Sequence, residues 1–111
     1  MRIKHTLVLL ILAVFAVAPS SAQEYTAIGL GNSSCGSWTA ARRDKVALPY
    51  QQWVIGFLSG IGYAKPYAGL DPLKGLDGNA VYAWVDNYCG ANPLNDISVA
   101  GNSFIWAHPG K

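Results

Sequence analysis

Residues 79–90, NAVYAWVDNYCG, decide the fold that the sequence predicts. Their apolar positions recur at the spacing i, i+3, i+4, i+7, i+8, which is typical of one face of an α-helix. These positions are Val81, Trp84, Val85, Tyr88 and Cys89. The helix is expected to begin after Asp77, and Gly90 is suited to end it. Cys89 therefore lies on the face that is expected to be buried.

The other cysteine, Cys35, lies in a first predicted helix over residues 32–44, NSSCGSWTAARRD. Three residues are able to cap the start of this helix, namely Asn32, Ser33 and Ser34. Cys35 shares a helical face with Trp38 and Thr39. A bond from Cys35 to Cys89 would clamp the first predicted helix to the one that contains residues 79–90.

The two cysteines permit one intramolecular disulfide, Cys35 to Cys89. On the chain-entropy estimate this crosslink contributes about 4 kcal/mol, which is comparable to the whole stability of a small domain. A redox pair, a metal site and a cross-linked dimer are the alternatives. The chain has no Cys-x-x-Cys spacing, and His108 is the only histidine after the first 22 residues, so redox and zinc chemistry have little support.

The second predicted helix covers residues 48–65, LPYQQWVIGFLSGIGYAK, with Pro49 in its first turn. Its apolar stripe consists of Tyr50, Trp53, Val54, Phe57, Leu58 and Ile61. Glycine weakens a helix, so three glycines inside this one predict that another backbone packs closely against it. These glycines are Gly56, Gly60 and Gly62.

Residues 66–79 contain three glycines and two prolines and are predicted to form a loop. A fourth helix is predicted to start at Asn92-Pro93 and to end at the final HPGK. Its apolar stripe consists of Leu94, Ile97, Gly101, Phe104 and Ile105. The sequence therefore predicts an all-α fold, a small single-domain bundle of about four helices stapled by one disulfide.

Residues 1–22 carry the pattern of a secretory signal peptide: a basic start, a short apolar run and a small-residue cleavage site. An uncleaved membrane anchor is the alternative, but the apolar run is shorter than the roughly 20 residues that span a bilayer. Cleavage before Gln23 leaves one domain, residues 23–111, in the periplasm or secreted and free of the membrane. Arg2 and Lys4 leave with the leader, so six of the eight basic residues remain against six acidic ones. This balance argues against a nucleic-acid partner.

The sequence offers little chemistry for catalysis, so no catalytic residue, cofactor or metal site is expected and the protein is predicted not to be an enzyme. His108 lies near the end of the chain, where ordering is least expected. Asp71, Asp77 and Asn79 lack the ligand spacing of a calcium loop and are better explained as turn and capping residues. Recognition of another protein is the more natural role.

The contexts Cys-x-x-Trp (SCGSW) and Tyr-Cys-x-x-Asn-Pro (YCGANP), with WVIGFLSG between them, resemble the periplasmic acid-stress chaperones of the HdeA/HdeB type. The resemblance covers about Cys35 to Phe104. It implies a helical, disulfide-bridged periplasmic protein that loosens in acid and holds unfolding clients without ATP. The WVIGFLSG helix followed by a cysteine-containing helix is also similar to the Rap1a/Tai-type immunity proteins, which block cell-wall amidases.

Two sets of residues follow from these hypotheses. The candidates for contacting a client or partner are Trp38, Trp53, Phe57, Tyr63, Trp84, Val85 and Trp106. The candidates for a pH switch are Asp44, Asp86 and Asp96, carboxylates whose paired form would lose its stabilising effect on protonation. The expected partners are unfolded or specific envelope proteins, and a homodimer is compatible with the sequence.

Overall fold

The computed structural model describes residues 25–111, so the predicted leader over residues 1–22 lies outside the described residues. The described chain contains a 3₁₀ turn over Leu30–Asn32 and then five helices. These are α1 (Cys35–Arg43), α2 (Leu48–Tyr63), α3 (Lys65–Ala68), α4 (Gly78–Ala91) and α5 (Ile97–Ala107). The predicted all-α fold with four main helices is confirmed, because α3 is a single short turn and β pairing within residues 25–111 is limited to one isolated bridge.

The helix starts follow local chemistry. Ser34 is the residue that caps α1, since its hydroxyl accepts a hydrogen bond from the Ser37 amide at 3.2 Å. Asp77 caps α4 in the same way, accepting from the Ala80 amide at 2.8 Å. Pro49 lies in the first turn of α2, where its missing N–H leaves no intrahelical bond unmade.

A disulfide joins α1 to α4 as predicted, with the Cα atoms of Cys35 and Cys89 4.7 Å apart. Both cysteines are fully buried and belong to a core that all four main helices share. The other members of this core are Trp38, Val54, Leu58, Val81, Val85, Ile97, Ala100, Phe104 and Ile105. The predicted stripe of α4 thus faces inward, with Trp84 and Tyr88 at its half-buried margin. Thr39, predicted to share the inward face of α1, is exposed.

α2 contributes Val54 and Leu58 to this core and packs against α5, the 3₁₀ turn and α3. The prediction that its glycines mark a closely packed backbone is wrong for Gly56 and Gly60, because an added Cβ at either position would meet nothing within 4 Å. At Gly62 the neighbour is the Asp71 carboxylate, 2.7 Å from such a Cβ. Gly56 and Gly60 therefore lie on an exposed face of α2, whereas Gly62 lies against Asp71.

Two further close approaches involve glycines outside α2 and aromatic side chains of α2. A Cβ on Gly31, in the 3₁₀ turn, would overlap the indole of Trp53. A Cβ on Gly101, in α5, would lie 2.9 Å from the Phe57 ring. Trp53 therefore packs on Gly31 and Phe57 on Gly101, and these two contacts hold α2 against the 3₁₀ turn and α5.

The segment over residues 66–79 is not a continuous loop as predicted. Its first residues belong to α3, which ends where Gly69 adopts φ 71°, a left-handed conformation that favours glycine. Gly75 adopts φ 75° in the following turn. Gly78 already begins α4, and that helix runs one residue past Gly90, which was predicted to end it.

The fourth predicted helix starts later than expected, at Ile97 and not at Asn92-Pro93. The reason is that residues 93–97 use their backbone groups to bind the start of α1: the Cys35 amide donates to the Asn95 carbonyl at 2.7 Å, and the Ile97 amide donates to the Ser33 carbonyl at 2.9 Å. Leu94, predicted on the apolar stripe, is 92 % exposed.

Candidate functional site

The polar contact that links two helices lies beside the disulfide and is centred on Asp86 of α4. The Trp38 indole N–H donates to Asp86 Oδ1 at 2.7 Å. Arg42 donates from Nε to Oδ1 at 3.0 Å and from Nη2 to Oδ2 at 2.9 Å. We call Trp38, Arg42 and Asp86 the carboxylate clamp. It ties the second half of α1 to the middle of α4, while the disulfide ties the first residue of α1 to the end of α4.

The clamp favours the ionised form of Asp86. Burial raises the pKa of its carboxyl, but the hydrogen bonds from Arg42 and Trp38 and the charge of Arg42 outweigh burial and hold that pKa below the ordinary 3.8. The hydrogen bond to Asp86 in turn raises the pKa of Arg42. The folded state therefore binds the Asp86 proton more weakly than the unfolded state does.

The other two predicted switch residues make no comparable link. Asp44 pairs with its chain neighbour Arg43 at 3.0 Å, and this hydrogen bond, with the charge of Arg43, lowers the pKa of Asp44. Both side chains are mostly exposed, and the pair joins no two elements. Asp96 occupies the N-cap position of α5 without a capping side-chain hydrogen bond. Within residues 25–111, Asp86 is the one carboxylate that bridges two helices through an ion pair.

A polar cleft of about 410 Å³ lies on the solvent side of the clamp, between Thr39, Arg42, Arg43 and Asp86. Each guanidinium in it is already paired with a carboxylate. No group of three His, Cys, Asp or Glu side chains in the part of the chain that the structure describes is placed to hold a metal ion.

The predicted partner-contact residues fall into three groups by exposure. Trp38 and Val85 are fully buried. Tyr63 and Trp106 are 91 % and 63 % exposed. Half-buried side chains form the third group, namely Trp53, Phe57 and Trp84. The structure therefore does not gather the seven residues on one exposed surface, and Trp38 and Val85 would reach a partner only if α1 and α4 separated.

Two apolar clefts border the aromatic side chains of α2. Trp53 and Phe57 stack with their ring centroids 5.4 Å apart and line a cleft of about 350 Å³. Phe57 also lines a second cleft, of about 300 Å³, between α2 and α5. The other residues of this second cleft are Tyr25, Thr26, Ile61, Asn102 and Ile105.

Tyr25 is held at the second cleft by a hydrogen bond that its hydroxyl donates to the Ser98 hydroxyl at 3.3 Å. Sequence reasoning missed it, since the irregular start of the domain has no periodicity that would assign it to a face.

Sequence reasoning also missed an aromatic cluster between α4 and the last turn of α5. Trp84 stacks on Tyr88 and meets Phe104 edge-on, with centroid separations of 5.5 Å and 5.2 Å. His108, expected in a poorly ordered end, stacks on Phe104 with centroids 4.5 Å apart. Its Nδ1 is buried and has no hydrogen-bond partner. No local pattern signals this contact, because a histidine after the last helical turn has no defined face.

The fold and the clamp define a small helical protein in which α1 and α4 are joined by a disulfide and by one partly exposed ion pair, Arg42 with Asp86. No protein-family model, curated protein or solved structure matches the chain. No helix in residues 25–111 has both the length and the apolar character needed to cross a membrane.

Proposed function

We propose that the protein is an exported holdase that works without ATP, binding unfolding envelope proteins when acid opens the contact between α1 and α4. The resemblance to the HdeA/HdeB-type chaperones motivates the proposal, and the carboxylate clamp is the single observation that carries it. The clamp is a protonatable contact placed directly over the apolar core.

The pH range follows from Asp86. Its pKa is lowered in the folded state, so the stabilisation is complete above the ordinary value of 3.8 and is lost as the pH falls through the lower folded value. Protonation removes the charge that Arg42 binds and weakens the acceptor for the Trp38 indole. The clamp is therefore expected to open only below pH 3.8.

The disulfide determines how far the helices separate. Cys35 is the first residue of α1, whereas Arg42 lies in its last turn. Loss of the clamp frees the end of α1 that carries Arg42, while Cys35 stays bonded to α4. α1 would then swing about the disulfide and uncover Trp38 and Val85, which are fully buried in the closed form.

The test is suppression of aggregation of an unrelated protein, without ATP, over a series of pH values. The wild type should suppress aggregation only below pH 3.8 and not at neutral pH. Asp86→Asn keeps an oxygen for the Trp38 indole but removes the charge at every pH, so its activity should already be present at neutral pH. Asp44→Asn is the matched control, since within residues 25–111 the Asp44 carboxylate is hydrogen-bonded only to Arg43. Failure of the wild type to suppress aggregation at any pH would eliminate the proposal.

The second candidate is an immunity protein that inhibits one cell-wall hydrolase at neutral pH. The observation that favours it is the aromatic surface that is open without any loosening, the cleft beside Trp53 and Phe57. Such a protein should bind a single hydrolase tightly at pH 7, and Gln52→Arg in this cleft should abolish binding while leaving the fold intact. A gene for that hydrolase should lie next to the gene for this chain.

A further inference from the structure

Residues 108–111, which we call the C-terminal strap, return from the end of α5 and cover an aromatic pair. The His108 ring stacks on Phe104 at 4.5 Å and stands edge-on to Trp84 at 6.2 Å between centroids. Phe104 is only 1 % exposed and Trp84 is half-buried. The strap therefore completes the cover over these rings.

The strap has a second attachment, on the turn that follows α3. The Asp71 amide donates to the Pro109 carbonyl at 2.9 Å. Gly110 adopts φ 62°, and a Cβ there would overlap the Asp71 carbonyl. The strap is thus held at His108 by ring stacking and at Pro109 by a backbone hydrogen bond. The second contact requires glycine at position 110.

The ring contact leaves one polar atom without a partner, since His108 Nδ1 is buried and unbonded. No carboxylate oxygen in residues 25–111 lies within 4.0 Å of the His108 nitrogens. On α4, Asp86 is engaged by Arg42 and the Tyr88 hydroxyl by Asn95 Nδ2. α5 carries no charged side chain. The remaining titratable groups on α4, the turn and the strap are Tyr82, Asp71, Lys74, Asp77 and Lys111.

We propose that the strap is a proton-operated latch: when His108 takes up a proton, its ring leaves Phe104 and Trp84 and the strap opens. A neutral imidazole tolerates a buried unbonded nitrogen as an unused acceptor, whereas a protonated one carries N–H donors on both nitrogens. A charged N–H buried without an acceptor is strongly disfavoured. Attraction between the cation and the Phe104 ring opposes opening, but it supplies no acceptor.

The latch and the carboxylate clamp depend on different groups, His108 for the latch and Asp86 for the clamp. The strap should therefore open with α1 and α4 still joined by Asp86. Opening exposes Phe104 and Trp84, an apolar surface on the opposite side of α4 from the clamp. The latch does not depend on the proposed holdase activity, because its opening can be measured on the protein alone.

The test follows two NMR signals of the full mature chain, the exchange protection of the Asp71 amide and the indole N–H of Trp84, from about pH 7.5 to about pH 5. In the wild type, protection of the Asp71 amide should fall at least about tenfold as the His108 ring protonates, and the Trp84 signal should shift over the same range. His108→Phe retains a stacking ring without a proton and should keep both signals unchanged.

Two further variants identify the open state. Gly110→Ala should show low Asp71 protection at every pH, because its Cβ displaces the strap whatever the charge on His108. Asp86→Asn should retain the wild-type response above pH 5. Constant protection in the wild type, or an equal loss in His108→Phe, would overturn the proposal. If His108→Phe does not fold, a Trp84 shift that does not follow the protonation of His108 in the wild type overturns it equally.

Discussion

The two sides of the bundle are held by different forces. On one side, α1 and α4 are joined by a disulfide and by the carboxylate clamp. On the other side, α2 carries no charged residue and rests on α5 and the 3₁₀ turn through aromatic rings laid over Gly31 and Gly101. Redox state and pH therefore act on the α1–α4 side, whereas side-chain volume governs the α2 side.

This difference teaches where a response to acid can arise in a chain with few acidic residues. Among the carboxylates, charge acts strongly only where burial and hydrogen bonds fix the side chain, as they do at Asp86. Asp44 has a similar partner but lies in solvent beside its own chain neighbour, so its protonation separates nothing.

The largest effect is expected from removing the covalent link. The double variant Cys35→Ser, Cys89→Ser should lose about 4 kcal/mol of unfolding free energy, because the open chain gains conformational entropy when unfolded. Urea unfolding of the variant and of the oxidised wild type measures the loss. Reduced wild type should match the variant. An unchanged midpoint would mean that the clamp and the core hold α1 and α4 without the bond.

A smaller loss is expected on the α2 side from Gly31→Ala. The new methyl group overlaps the Trp53 indole, whose N–H donates to the Ile28 carbonyl at 3.0 Å, so either the ring or the 3₁₀ turn must move. We expect a loss of about 1–3 kcal/mol in thermal or urea unfolding. An unchanged free energy of unfolding together with unchanged Trp53 fluorescence would show that the packing of Trp53 on Gly31 does not hold α2 in place.

Asp86→Asn should cost about 1 kcal/mol at neutral pH, a value reduced by the partial exposure of the clamp to solvent. That corresponds to a Tm lower by roughly 4–8 °C. Because the folded pKa of Asp86 lies below 3.8, the gap between wild type and variant should be constant above that value and close as the pH falls below it. A gap that persists in strong acid would mean that charge is not its source.

The smallest effect, and one of opposite sign, is expected at Gly56. An alanine there meets nothing within 4 Å and removes the entropy that a helical glycine costs. Gly56→Ala should therefore gain about 0.5–1 kcal/mol, which calorimetry of the variant beside Gly31→Ala would measure. A loss in place of this gain would reveal that the outer face of α2 is covered in solution, for instance by a second copy of the chain.

The helices themselves were accessible to sequence reasoning because their signals are local. The stripe of α4, its Asp77 cap and the proline of α2 act within one or two turns and were identified correctly. The start of α5 was misjudged because Asn92-Pro93 is a good local helix start, yet residues 93–97 bond to a segment some sixty positions away in the chain. Periodicity carries no information about such a competitor.

The candidate site was predictable only in part. Asp86 was among the three switch candidates, but its partners Trp38 and Arg42 lie 48 and 44 positions away, so the clamp itself was not foreseen. The stacking of His108 on Phe104 was missed, and the packing at Gly56 and Gly60 was wrongly predicted, because both depend on which distant residues lie nearby. The type of a residue limits the environments that suit it, but it does not specify which residue of another helix will contact it.

By itself the sequence determined the helical class, the main helices and the pairing of the two cysteines, because these depend on local periodicity and on there being two thiols to join. Only the tertiary structure decided which carboxylate became a clamp, which glycines lie beneath rings and where His108 comes to rest. Those outcomes depend on how the helices cross, and crossing is set by the packing of side chains from all of them at once.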